Sequence, residues 1–482
     1  MKNKTLQTIL IIFITGTLLL AMGLIAGVLL LRNSTNQPLI NQASPTPVVE
    51  ATPQPTGTAT RAPEGTESAP TTGATAPTVA SIPADIATEM DLIQQQVSSF
   101  RGLQLKEPFS RQLLTSEQLR QNVMNDFFKD YTPEDAAKDS KILSGFGLLR
   151  SGFDLQQFYI DLYSEQVAGY YDNTTQSMYV IADAAFGGIE RSTYAHEFTH
   201  TLQDQNFDIE NGLKVTDEHC KADTEYCAAV SALMEGDATL SEQFWLLRYS
   251  SAQDKQEILQ FQQNYTSPVY DSAPAYMKQD FLFPYVQGFD FVNALYAKNK
   301  WQSVDDVYRN PPVSTEQILH PEKYPDDKPV PISLPDFTSS LDGGWSEVDR
   351  NVMGEWYISL ILDAGYLPAA RLDETTAQTA AAGWSGDTYV YYTDKDINEQ
   401  VMVWQSLWDT DEDTSEFWDA SLAYAGKRWG SAASSTGDSA TWNTTDAGIV
   451  TMRKAGKNVL WMFTPDAETR DTILEKLGTF GN

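Results

Sequence analysis

The sequence predicts an α+β protein: a mostly helical domain with a short sheet, then a smaller α+β domain, preceded by one transmembrane helix. Three observations predict it. Apolar spacing switches irregularly between the helical and the strand period, which is the pattern of segregated helices and strands. An uncharged apolar run opens the chain. The length, 482 residues with 41% apolar and 20% charged, suits two or three domains and excludes global disorder. Acidic residues (65) outnumber basic ones (33), for a net charge of −32. Such a surface repels phosphate backbones, so no nucleic-acid partner is expected.

From Thr5 to Leu31 there is no charge, and Ile9–Leu31 is almost wholly apolar. A helix of that length spans about 34 Å, close to a hydrocarbon core of about 30 Å. It exceeds the short apolar region of a cleaved signal peptide. Residues 9–31 are therefore expected to anchor the chain in the cell membrane as a single pass. Lys2 and Lys4 precede the span and only Arg32 closely follows it, which keeps residues 1–8 cytoplasmic and places the globular part outside. Residues 32–83, rich in Thr, Pro and Ala, lack periodicity and read as a disordered tether.

The globular part opens near Ala84. Helical spacing covers Asp85–Phe100 and Ser116–Tyr131, and Thr132-Pro133 reads as a cap followed by Pro at the first helical position. A helix over Asp154–Ser164 precedes two short strands, Gln166–Tyr171 and Ser177–Ile181, around the turn Asp172-Asn173-Thr174-Thr175. Helices follow over Glu190–Gln205 and Tyr226–Leu247. A Pro-rich stretch ends near residue 335, the expected boundary between domains 84–335 and 336–482. Beyond it, Val348–Ala364 and Ser415–Ala425 read as helices, Thr388–Tyr392 and Val401–Ser406 as strands, and Gly448–Phe463 as a hairpin around Gly456.

The chain has four histidines, and two of them fall in His196-Glu197-Phe198-Thr199-His200. On a helix, residues i and i+4 share a face, so both imidazoles can address one Zn2+ ion. Glu197 is rotated about 100° from His196, which suits a general base that takes a proton from water. The bland reading is two packed histidines beside a solvated acid. A catalytic zinc needs a third protein ligand. Gln203 and Asn206 stand where a metzincin requires Gly and His, which excludes that branch. Glu235, 35 residues after His200 in an otherwise apolar stretch, is the expected ligand, since a carboxylate there is costly unless paired or bound to metal. His219, Asp237 and Asp223 are its rivals. Gly236 permits a close approach by backbone or ion, and Asp204 is placed to orient a ligand.

These motifs, with Gly169-Tyr170-Tyr171-Asp172 upstream and Pro312-Val313-Ser314-Thr315-Glu316-Gln317-Ile318-Leu319-His320-Pro321 downstream, resemble the gluzincin class of zinc metallopeptidases. The resemblance is to a membrane-anchored bacterial set and covers roughly residues 150–325. It implies hydrolysis of a peptide or protein substrate through one zinc held by His196, His200 and Glu235. An oxyanion donor is also required. His320 is the first candidate, ahead of Tyr170, Tyr171 and Tyr285.

The competing readings are a non-catalytic surface or sensor protein with a structural zinc, and an amidase acting on cell-wall peptide. The strand Ser177–Ile181 is a candidate exposed edge for an extended peptide, or simply part of a core hairpin. Cys220 and Cys227 lie too far apart to bridge within one continuous helix, so a disulfide requires the chain to break before the Glu235 helix.

Overall fold

In a computed structural model, the described residues are 16–18, 82–128, 131–183, 185–341, 344–394, 399–478 and 480. They form a mixture of helices and two sheets. Helix α1 (Ala84–Arg101) opens the main body, and α2 (Gly188–Phe207), α3 (Thr224–Arg248) and α4 (Ala275–Arg309) are its long members. The first sheet has the order β1-β3-β4-β2, from β1 (Gly16–Leu18), β2 (Ser110–Leu114), β3 (Val167–Asp172) and β4 (Ser177–Ile181). The second sheet is built only from residues beyond 345. Its strands are β5 (Ser346–Asn351), β6 (Trp384–Thr393), β7 (Gln400–Trp408), β8 (Ser434–Thr436), β9 (Ser439–Asn443), β10 (Ile449–Ala455) and β11 (Asn458–Thr464). They run in the order β5-β6-β7-β11-β10-β9-β8, every pair antiparallel.

The expected transmembrane helix is corrected. No helix among the described residues is long and apolar enough to cross a membrane. Of the span 9–31, the three described residues are extended: Gly16, Thr17 and Leu18 pair antiparallel with Tyr170, Gly169 and Val167 of β3. An uninterrupted apolar run carries no period that separates helix from buried strand, and this one is rich in β-branched Ile and Thr. Hydropathy and length alone therefore misled. The other residues of that span, residues 1–8 and nearly all of the tether lie outside the described residues.

The strand Ser177–Ile181 is also corrected as an exposed edge. It lies inside the sheet, antiparallel to β3 and parallel to β2, a strand the sequence reading did not find. Val348–Ala364 splits into β5 and helix α5 (Gly354–Asp363), and a further helix, α6, covers Asp411–Trp429. Thr410 caps α6, whose first turn holds Asp411, Glu412 and Asp413, as expected of acids at a positive helix end.

The main apolar core runs on across residue 335, from Leu233 and Met234 of α3 to Trp404 and Trp461 of the second sheet. Phe146 meets Tyr389 and Trp404 edge-on, at centroid distances of 5.4 and 5.8 Å. The Pro312–Pro321 motif lies in this seam. The Thr315 N–H and hydroxyl donate to buried Glu225 Oε1 at 2.6 and 2.7 Å, and Lys323 reaches Glu316 at 2.6 Å. Burial pushes Glu316 up to about 7 against the pull of Lys323. It pushes Asp387 up to about 7 as well, despite N–H groups from Met353 and Gly354. The hydrogen bond that His320 donates to Glu355 raises the His320 pKa. A raised pKa in the folded state means stability present at low pH and lost as pH rises through the folded value. Unfolding free energy in urea is therefore expected to fall between about pH 5 and about pH 8. A flat or rising profile across that window contradicts this account of the seam.

Candidate metal centre

Helix α2 is buried along its middle, where every residue from His196 to Gln203 is at most 1% exposed. Its start is held from outside the helix as well as within: Gly187 N–H donates to Glu190 Oε2 at 2.8 Å, and Gly188 N–H to Glu257 Oε2 at 2.7 Å. One turn apart on its face, His196 and His200 bring their rings to a centroid distance of 4.9 Å.

Helix α3 supplies the acid. Its N-terminus is fixed at Asp223, whose side chain accepts Tyr226 N–H, and just before it a short helix, Asp217–Ala222, ends. That break lets Cys220 and Cys227 form a disulfide, with Cα atoms 5.4 Å apart. Further along, α3 crosses α4 at two glycines. A Cβ on Gly236 would lie 2.1 Å from Gly288 O, and one on Gly288 would lie 2.1 Å from Ala232 O. The backbones touch there, and Glu235 is set into the buried space beside the crossing. The close approach anticipated at Gly236 is made by a helix backbone.

His196 Nε2, His200 Nε2 and Glu235 Oε2 converge. Glu235 Oε2 lies 3.0 Å from His196 Nε2 and 3.5 Å from His200 Nε2. One ligand atom from each of the three residues lies within 4.8 Å of the others. All three residues are at most 1% exposed. Among the described residues, His200 Nε2 and Glu235 Oε1 have no hydrogen-bond partner, and no Lys or Arg pairs with Glu235. Burial lowers the His196 pKa, but the carboxylates of Glu235 and Glu242 outweigh it and push the imidazole up to about 10. A divalent cation would satisfy the acceptors left without a partner, and two imidazoles with a carboxylate are a donor set that suits zinc.

Around the triad, each imidazole faces a different side chain. His196 Nδ1 lies 3.4 Å from Glu242 Oε2 without forming a hydrogen bond, and Ser192 donates to Glu242 Oε1 at 2.5 Å. His200 Nδ1 lies 2.8 Å from Gln203 Oε1. Glu197 is fully buried and faces β3, where a Cβ on Gly169 would sit 3.3 Å from the Glu197 Cγ. Tyr285, one residue past Pro284 in α4, is buried against the triad, with its ring centroid 6.3 Å from that of His196. Burial and the charges of Glu235 and Glu197 hold its phenol well above the usual range.

The remaining candidates are placed elsewhere. His320 bonds Glu355 at 2.8 Å and lies 3.8 Å from Glu322, so the structure puts Tyr285 rather than His320 against the imidazole pair. Tyr170 stacks on Tyr179 and accepts from Asn122. Tyr171 donates to Asp204 at 2.9 Å, which fixes a strand to the end of α2. His219 packs edge-on to Tyr226, Asp223 caps α3, and Asp237 is taken by Arg101. Glu242 and Gln203 escaped the sequence reading as supports. Glu242 lies seven residues after Glu235, two helical turns along one face, a spacing that could have revealed it.

A family model described as a domain of unknown function, DUF8575, matches residues 341–474. That stretch holds the second sheet and lies outside the triad. No curated protein and no solved structure matches the chain.

Proposed function

We propose that the chain is a zinc-dependent peptide hydrolase of the gluzincin type, with His196, His200 and Glu235 as metal ligands and Glu197 as general base. The observation that carries this reading is the convergence of two imidazoles and one carboxylate, fully buried with orphaned acceptors. When bound, zinc supplies a Lewis acid that polarises the scissile carbonyl and brings the pKa of water towards 7. Glu197 takes the proton of the attacking water and returns it to the leaving amine. Tyr285, whose phenol stays protonated, donates to the oxygen that gains charge. A substrate chain would have to displace Gly16–Leu18 to pair as an extended strand along the outer edge of β3, beside Glu197.

The burial of the triad favours a second reading, a closed structural zinc site with no turnover. Zinc titration of the full chain, coupled to cleavage of a peptide library with and without chelator, separates the two. The proposal expects about one zinc per chain and chelator-sensitive cleavage. Bound zinc without cleavage selects the structural reading, and no bound zinc overturns both. Glu235→Ala is expected to lower zinc affinity at least about 100-fold, because only two ligands remain. Unchanged metal content would remove Glu235 from the ligand set.

A further inference from the structure

We infer that Gln203 is a positioning residue that fixes the tautomer of His200, and that its own orientation is set by the Met234 carbonyl together with Asp237, which Arg101 holds in place. The inference rests on the zinc reading and concerns what sets the affinity of that site.

An imidazole that binds a metal through Nε2 must carry its proton on Nδ1, so a hydrogen-bond acceptor has to face Nδ1. A glutamine offers either end of its amide, and only its surroundings decide which. Gln203 Nε2 lies 2.9 Å from the Met234 carbonyl and 3.1 Å from Asp237 Oδ2. Both of those partners accept hydrogen bonds and neither can donate one. The amide nitrogen must therefore face them, because the opposite orientation would set oxygen against oxygen at two buried contacts. The amide oxygen is left facing His200 Nδ1 at 2.8 Å. The proton of His200 is assigned to Nδ1, and the lone pair of Nε2 points at Glu235.

The decision is made one step further away. Asp237 could not discriminate if its carboxylate were free to turn. Arg101 holds it, with Nε 2.8 Å from Oδ1 and Nη2 3.1 Å from Oδ2, while the Tyr308 hydroxyl donates to Oδ2 at 2.9 Å. Arg101 itself is fully buried at the end of α1. It is held by Asp305 at 2.6 Å and by the face of Trp301, 4.7 Å from its Cζ. Asp237, two residues after Glu235 on the same helix, thus reads a guanidinium on α1 and passes the choice to α2. An acid at position 203 would place two carboxylates about 3 Å apart beside the site, which explains a neutral amide there. His196 differs: it faces the Glu242 carboxylate, which accepts in any orientation and needs no remote selector.

The test uses the full chain and zinc itself. Zinc affinity is measured by chelator competition on folded wild type, Gln203→Leu and Asp237→Asn. Loss of the Nδ1 acceptor in Gln203→Leu is expected to weaken zinc about 10- to 100-fold. Asp237→Asn touches no ligand, yet it removes one of the two acceptors that orient the amide, leaving only the Met234 carbonyl, and is expected to weaken zinc about 10-fold. A merely structural role would lower the melting temperature and leave zinc affinity per folded molecule unchanged. Should Gln203→Leu fail to fold, Asp237→Asn carries the affinity test. Histidine-selective nitrogen NMR of the metal-free wild type supplies a further readout, with the His200 proton expected on Nδ1. Zinc affinity within twofold of wild type in the variants, or a proton on Nε2, overturns the relay while leaving the zinc reading intact. A wild type that binds no zinc overturns both.

Discussion

Glu197→Gln is expected to keep zinc binding close to that of wild type and to lower peptide hydrolysis about 100- to 10,000-fold. The substitution keeps shape and volume at a fully buried position, where the side chain packs between α2 and Gly169 of β3. What it removes is a group that can hold a proton and then release it. Glu197 is not one of the three residues whose ligand atoms converge, so metal content should not follow activity. The measurement is kcat on a peptide cleaved by wild type, with metal content determined on the same sample. Full turnover in the variant would show that another group handles the proton, and parallel loss of metal would make Glu197 a ligand.

Gly236→Ala is the second large effect, and its sign runs against helix propensity. Alanine is favoured over glycine inside a helix by up to about 1 kcal/mol. At position 236, however, the new methyl would lie 2.1 Å from the Gly288 carbonyl oxygen and 2.3 Å from its carbon, both backbone atoms of α4. Neither can swing aside as a side-chain tip can, so the helices must separate. Overpacking of this kind costs about 1–3 kcal/mol or more. Because Glu235 and Asp237 flank the glycine, separation also moves a proposed ligand and a residue that helps to direct Gln203, and zinc affinity should fall with stability. Gly426→Ala in α6 is the control. Nothing lies within 4 Å of the corresponding methyl, so that variant should gain up to about 1 kcal/mol. Melting temperatures and zinc affinities of the two variants decide the point, and equal behaviour would reject the crossing as the cause.

The candidate metal-binding face was legible because two histidines four apart on a helix can hardly avoid sharing a face, whatever surrounds them. Glu235 was legible for a different reason, since a carboxylate in an apolar stretch asks for a partner. The support of the site was not. Arg101 is 136 residues from Asp237 in sequence, and nothing local to either residue signals the pairing. The long helix α4 also escaped notice, because Pro284 and the non-helical Asn299 and Lys300 interrupt its pattern, and Tyr285 with it lost its place beside the triad. Strand β2 was missed for want of clean alternation, and its absence made β4 look like an edge. The apolar run near the amino terminus failed in the opposite way, with a strong signal that belongs equally to two backbone conformations.

The first turn of α3 is tied down from beyond residue 335. Thr224 donates its hydroxyl to Asn351 Oδ1 at 2.9 Å, and Asn351 in turn reaches the Lys221 carbonyl at 3.0 Å. The stretch that matches a family model is thus joined to the start of the helix that presents Glu235. A chain cut at the proline-rich junction would lose these two hydrogen bonds at the root of α3 and leave the Asp223 cap and the Cys220–Cys227 disulfide alone to hold it.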